Sequence, residues 1–155
     1  MQTTSDIDQA VVSTLNELLE TCRDGEYGFN ACASRTSNPE LKAIFEQRSK
    51  ECTSAALELY AQVLDLGGTP EEGGTAGGAV QRGWAAVRGL LSGNSDYAIL
   101  DECERGEDMA LAHYRKAMKH VLPNDVRVLV ERQMRGTQAN HDQIKALRDQ
   151  YKERA

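Results

Sequence analysis

Residues 38–68, NPELKAIFEQRSKECTSAALELYAQVLDLGG, carry a helix start, a helix stop and an unusual interior in one stretch. Asn38 is a natural N-cap, Pro39 stands at the first helical position where a missing N–H does no harm, and Gly67-Gly68 ends the run. Between these signals Leu41, Phe45, Arg48, Cys52, Ala55, Leu59, Val63 and Leu66 recur at three-to-four spacing, which is one face of a long helix. A face of this length needs other helices to cover it. Every member is apolar except Arg48, and a guanidinium brought inside needs a carboxylate beside it. The stretch therefore predicts a helical bundle with a polar layer across its middle.

Upstream, a first helix is predicted from about Asp6 to Arg35, with Ile7, Val11, Leu15, Leu18, Cys22, Gly25, Phe29 and Ala33 as its inner stripe. The segment from Thr36 to Glu40 turns the chain back into the second helix. Downstream, residues 67–95 change to a Gly-rich composition interrupted by Val80, Trp84, Val87 and Leu91, which reads as a long crossover carrying one short helix, about Ala76 to Leu91. A third helix is predicted from Ser95 or Asp96 to about Val121, with Ile99, Cys103, Glu107, Ala110, Tyr114, Ala117 and Val121 inward. The link Leu122-Pro123-Asn124 then reverses the chain into a fourth, Asp125 to Arg154, with Val126, Leu129, Gln133, Thr137, Asn140, Ile144, Leu147 and Tyr151 on its stripe. The fold class is all-α, a four-helix bundle with helices 2 and 3 joined by the crossover and running parallel.

The 155 residues suit one domain, 1–155, able to bury a core without staples. A net charge of -6 and the lack of a basic tail argue against nucleic acid as a partner. No apolar run approaches the ~20 residues that span a bilayer, and the N-terminus MQTTSDIDQA has neither a positive start nor an apolar core, so no membrane association and a cytoplasmic location are expected. Cys22, Cys32, Cys52 and Cys103 form no C-x-x-C pair, which argues against a zinc knuckle and for free thiols used as small apolar fillers.

Counting outward from the two short turns at ~1.5 Å per residue sets Gly25 and Glu26 opposite Arg48, and Glu107 near Gln138, Thr137 and His141. The expected buried polar layer is Arg48, Glu107, Gln133, Thr137 and Asn140, with Arg48 and Glu107 as an ion pair. Gly25 and Gly106 are expected to leave room for Arg48 or for close helix approach. A dinuclear carboxylate centre in such a bundle takes a Glu from each of two helices and a Glu-x-x-His pair from each of the others. Helix 3 offers Glu104 and Glu107, helix 4 offers Gln138 and His141, and helix 1 offers Glu26. Helix 2 departs from the pattern, since Arg48 points inward and Ser54, not histidine, stands three residues after Glu51. Metal ligation, where it occurs, is thus expected at Glu107, His141, Glu104 and Glu26, with a single iron, manganese or zinc ion. No set of catalytic residues is recognisable.

Several stretches carry a further likeness: Cys22-Arg-Asp-Gly-Glu-Tyr-Gly-Phe29, Glu40-Leu-Lys-Ala-Ile-Phe45, Leu66-Gly-Gly68, Arg82-Gly-Trp84, Glu102-Cys-Glu-Arg-Gly-Glu-Asp108 with Tyr114, and the run from Gln138 to Leu147. In these the chain resembles an uncharacterised bacterial family of ferritin-like four-helix-bundle proteins known by a domain-of-unknown-function label. The resemblance implies a ferritin-like fold and brings no settled activity. The expected function is that of a non-enzymatic bundle, stress-related or housekeeping, acting through self-association as a homodimer or through a protein partner. The alternative is a metal-binding bundle with an incomplete carboxylate and histidine site. A third class is a small-ligand carrier with its pocket beneath the crossover and Trp84.

Overall fold

The computed structural model describes residues 2–71, 84 and 95–154. These contain four long helices: α1 (Gln2–Arg35), α2 (Pro39–Asp65), α3 (Asp96–Met118) and α4 (Asn124–Arg154). The expected short helix between α2 and α3 lies outside the described residues, apart from Trp84.

The helix ends follow from local chemistry. The Asn38 side chain accepts from the backbone N–H groups of Glu40 (2.9 Å) and Leu41 (3.2 Å), two of the donors that a helix start leaves unpaired. At the other end Gly67 takes φ +77°, Gly67 N–H donates to Leu64 and Gly68 N–H to Val63, each at 2.9 Å. This is the glycine-dependent Schellman closure, and the left-handed residue explains the glycine at that point. Ser95 caps α3 through Ala98 N–H at 3.1 Å. The third helix is shorter than its apolar stripe suggested. It stops at Met118, and Val121, expected inward, is 85% exposed. Pro123 disfavours helical backbone just before it, so the link must begin unwinding earlier than a hydrophobic pattern can register.

Side-chain pairs fix how the helices run. Ser49 donates to the Glu26 carbonyl across the first turn, Thr21 bonds His113 while Thr36 bonds Asp96 at the other end of α1 and α3, and Arg132 reaches Glu58 while Asn140 reaches Glu51 between α4 and α2. Each of these neighbours is antiparallel, so α2 and α3 run in the same direction. Around the bundle the order is α1, α2, α4, α3. No α-carbon of α2 comes within 8 Å of α3, nor one of α1 within 8 Å of α4, so these pairs are the diagonals.

Two apolar clusters fill the interior. One packs Val11, Leu15, Leu18 and Leu19 with Leu59, Val63, Val126 and Val130. The other packs Phe29, Leu41 and Phe45 with Trp84, Ile99, Leu100, Cys103 and Ile144. Between them lies a layer of buried polar groups, which is where the functional question sits.

Candidate functional site

At the centre of that layer Arg48 crosses the diagonal from α2 to α3. Its Nε donates to Glu107 Oε2 at 2.6 Å and its Nη2 to Oε1 at 3.2 Å, a two-pronged contact that matches the planar guanidinium fork to the carboxylate. Both residues are buried, Arg48 at 8% and Glu107 at 2% exposure. The remaining Nη1 donates to Glu51 Oε1 at 3.1 Å, and the same oxygen accepts from Asn140 Nδ2 at 3.3 Å. The Phe29 ring lies 5.7 Å from the guanidinium carbon and covers it on a further side. Burial opposes the charge on Arg48, but the Glu107 and Glu51 carboxylates beside it outweigh that and hold the guanidinium protonated. Burial likewise pushes the Glu107 carboxyl up, and the adjacent guanidinium pulls it back. Taken out of water together, each group makes the other tolerable.

One turn further along, Gln133 knits three helices. The Tyr114 hydroxyl donates to Gln133 Oε1 (2.8 Å), while Gln133 Nε2 donates to Glu58 Oε1 (2.9 Å) and to the Ala55 carbonyl (3.2 Å). Burial opposes ionisation of Glu58, yet its bonds from Arg132 and Gln133 bring its pKa below the ordinary carboxylate value. Thr137 is buried and donates to its own helix at the Gln133 carbonyl, and Asn140 is half-buried.

Of the two uses expected for Gly25 and Gly106, room for Arg48 is not the one found, while Gly25 does allow a close approach of α1 to Cys52 on α2. A Cβ on Gly106 would stand 2.1 Å from Trp84 Cε2 and one on Gly28 2.4 Å from Trp84 Cδ2, while one on Gly25 would meet Cys52 Sγ at 2.8 Å. The space at Gly106 is thus taken by the indole of Trp84, and that at Gly25 by a thiol, rather than by Arg48. Trp84 is 6% exposed and meets Phe29 edge-on at 4.7 Å between centroids.

The metal-ligand candidates divide between two places. Glu107 is engaged by Arg48 in the centre, and Glu26 pairs with Arg23 on α1 at 3.4 Å. Glu104 and His141 instead meet on the outer seam between α3 and α4, with His141 Nε2 2.8 Å from Glu104 Oε2 and 3.7 Å from Asp108 Oδ1. One ligand atom from each of Glu104, Asp108 and His141 lies within 4.8 Å of the other two. Asp142 Oδ1 stands 3.4 Å from His141 Nδ1, on the opposite side of the ring. Arg148 closes the seam by donating to Glu104 Oε1 at 3.0 Å. Asp108 and Arg148 were not singled out from the sequence. The i, i+4 spacing of Glu104 and Asp108 was the signal for the first, and nothing local marks the second.

The family model described as Domain of unknown function (DUF2383) matches residues 10–120. A crystal structure described as ferritin like, diiron-carboxylate proteins from Bacillus anthracis str. Ames is similar over 91% of this chain and 96% of that one, with 17% identity and a TM-score of 0.70. At that identity the likeness is one of fold, which is ferritin-like. No curated protein matches the chain. A dinuclear centre of the kind named for that neighbour does not fit the central residues here. Arg48 puts a permanent positive charge there, α2 supplies no histidine after Glu51, and α4 has Gln138 as the partner of His141.

Proposed function

This chain belongs to the Domain of unknown function (DUF2383) family and has its ferritin-like fold, and on that footing we propose that it is a non-enzymatic bundle working in a bacterial cytoplasm through self-association or a protein partner. The observation that carries this reading is the Arg48–Glu107 pair, which neutralises the centre internally where coordination chemistry would need open carboxylates. The four free, buried cysteines are in keeping with a reducing compartment. Exposed Leu57 and Leu64, seven residues apart on α2, give an outward apolar strip for such contacts. Light scattering of the purified protein, repeated with Leu57→Lys and Leu64→Lys, tests the association; a monomer with no captured partner at any concentration would contradict it. A role in stress or housekeeping is consistent with this reading.

The seam of Glu104, Asp108 and His141 supports a second reading, in which the bundle binds one iron, manganese or zinc ion outside its centre. The ring nitrogen facing Asp142 would be oriented by that carboxylate, leaving the other to coordinate. Metal content after chelator-free purification separates the readings. Stoichiometric metal that is lost in His141→Ala but kept in Glu107→Gln favours the second; metal absent from the native protein favours the first.

A further inference from the structure

The polar layer opens into a cavity of about 460 Å³ that draws residues from all four helices and reaches the Arg48–Glu107 pair. That volume lies within the range of small-molecule sites, roughly 300–1,000 Å³. Its walls include the Cys22 and Cys52 thiols, the Tyr114 ring and Trp84, with Gln133 and Thr137 as polar points. Thiols and ring edges are polarizable surfaces that suit an aromatic guest. Of the cations on the wall, Lys50 is exposed at the rim, while Arg48 is matched with Glu107 and Glu51 and Arg132 with Glu58, so a charged guest lying against the buried Arg48–Glu107 pair would have to break it.

Gly136 supplies an independent observation. It lies in the interior of α4, exposed, and lines the cavity. A glycine at a helix interior is unfavourable and is ordinarily explained by a close neighbour, yet among the described residues nothing stands within 4 Å of where its Cβ would be. What the missing side chain does leave is open space on the cavity wall, on the side where α4 faces α2 across the loosest contact of the bundle.

We propose that this cavity is a binding site for an uncharged, largely apolar aromatic molecule, admitted between α2 and α4 past Gly136. The guest would lie against the thiols and Tyr114 and could share a hydrogen bond with Gln133. The inference does not depend on how the bundle associates or on the α3–α4 seam.

The probe N-phenyl-1-naphthylamine is neutral, brightens in apolar surroundings and accepts excitation energy from tryptophan, of which the chain has one. Titration should give saturable one-to-one binding with probe emission sensitised through Trp84. Two exposed cavity-lining positions supply the blocking variants, Gly136→Leu on α4 and Ser54→Phe on α2, with Ala139→Leu, exposed but off the lining, as control. With folding checked by circular dichroism, the blocking variants should weaken binding at least tenfold and the control should not. Absence of saturable binding to the native protein overturns the proposal, as does undiminished binding in both folded blocking variants.

Discussion

Arg48 Nε and Glu107 Oε2 stand 2.6 Å apart although their helices are diagonal and never bring α-carbons within 8 Å. The long arginine side chain spans the bundle interior and ties together two helices whose backbones stay apart. Such a pair is costly to form and more costly to break, because removing Arg48 leaves Glu107 buried without its guanidinium, and removing Glu107 leaves Arg48 buried with Glu51 as its remaining carboxylate.

Glu107→Ala should therefore destabilise the protein by about 3–5 kcal/mol, whereas Arg48→Met combined with Glu107→Leu should recover most of that loss. Urea unfolding of Arg48→Met, Glu107→Leu and the double variant measures the coupling. Equal losses in the single and double variants would show that the pair is not a unit.

The indole slot is equally specific. Gly106→Ala and Gly28→Ala should displace Trp84, red-shift its emission and lower stability by about 1–3 kcal/mol through overpacking. Gly136→Ala should do the opposite, raising stability by about 1 kcal/mol, since the helix gains a better residue and nothing is crowded. Thermal melts and fluorescence spectra of the three variants check both directions.

The thiols make stability fall in alkali. Burial pushes Cys22 from its ordinary 9.0 up to about 11, partly offset by the hydrogen bond with Tyr114, and burial also raises Cys52 and Cys103. Between these values the unfolded thiol has lost its proton while the folded one keeps it, so unfolding releases protons and becomes easier as pH rises. The stabilising contribution is complete below pH 9 and is lost on the way to 11 for Cys22. The melting temperature should decline from pH 8.5 to 10.5, and Cys22→Ala should make that decline shallower. An identical slope in the variant would contradict this assignment.

Asn38 joins two roles, capping α2 and donating through Nδ2 to the Tyr151 hydroxyl at 2.7 Å near the end of α4. Asn38→Ala should cost about 1–2 kcal/mol, and Asn38→Asp, which keeps the cap but not the amide donor, should cost less. Chemical denaturation of both variants distinguishes the cap from the tether.

The helices and their order were legible because their signals are periodic and local. Asn38-Pro39 and Gly67-Gly68 mark chain reversal or termination by backbone chemistry alone, and Arg48 stands out because its stripe is otherwise apolar. Val121 misled because it continues a pattern that the proline beyond it had already ended. The occupants of Gly106 and Gly28 were not legible, since an empty position in a sequence does not say which distant side chain fills it. Asp108 and Arg148 were hidden for a related reason: a charged residue on a helix rim looks solvated until the neighbouring helix is set beside it at the right rotation.

Most directly informative is a crystal structure of protein loaded with iron and manganese, with anomalous data collected at both absorption edges. Arg48 should remain bound to Glu107 across the diagonal, with no anomalous peak in the central layer. A pair of peaks between α2 and α3, with Arg48 swung out to solvent and Glu107 turned onto the ions, would contradict a centre held together by internal charge neutralisation.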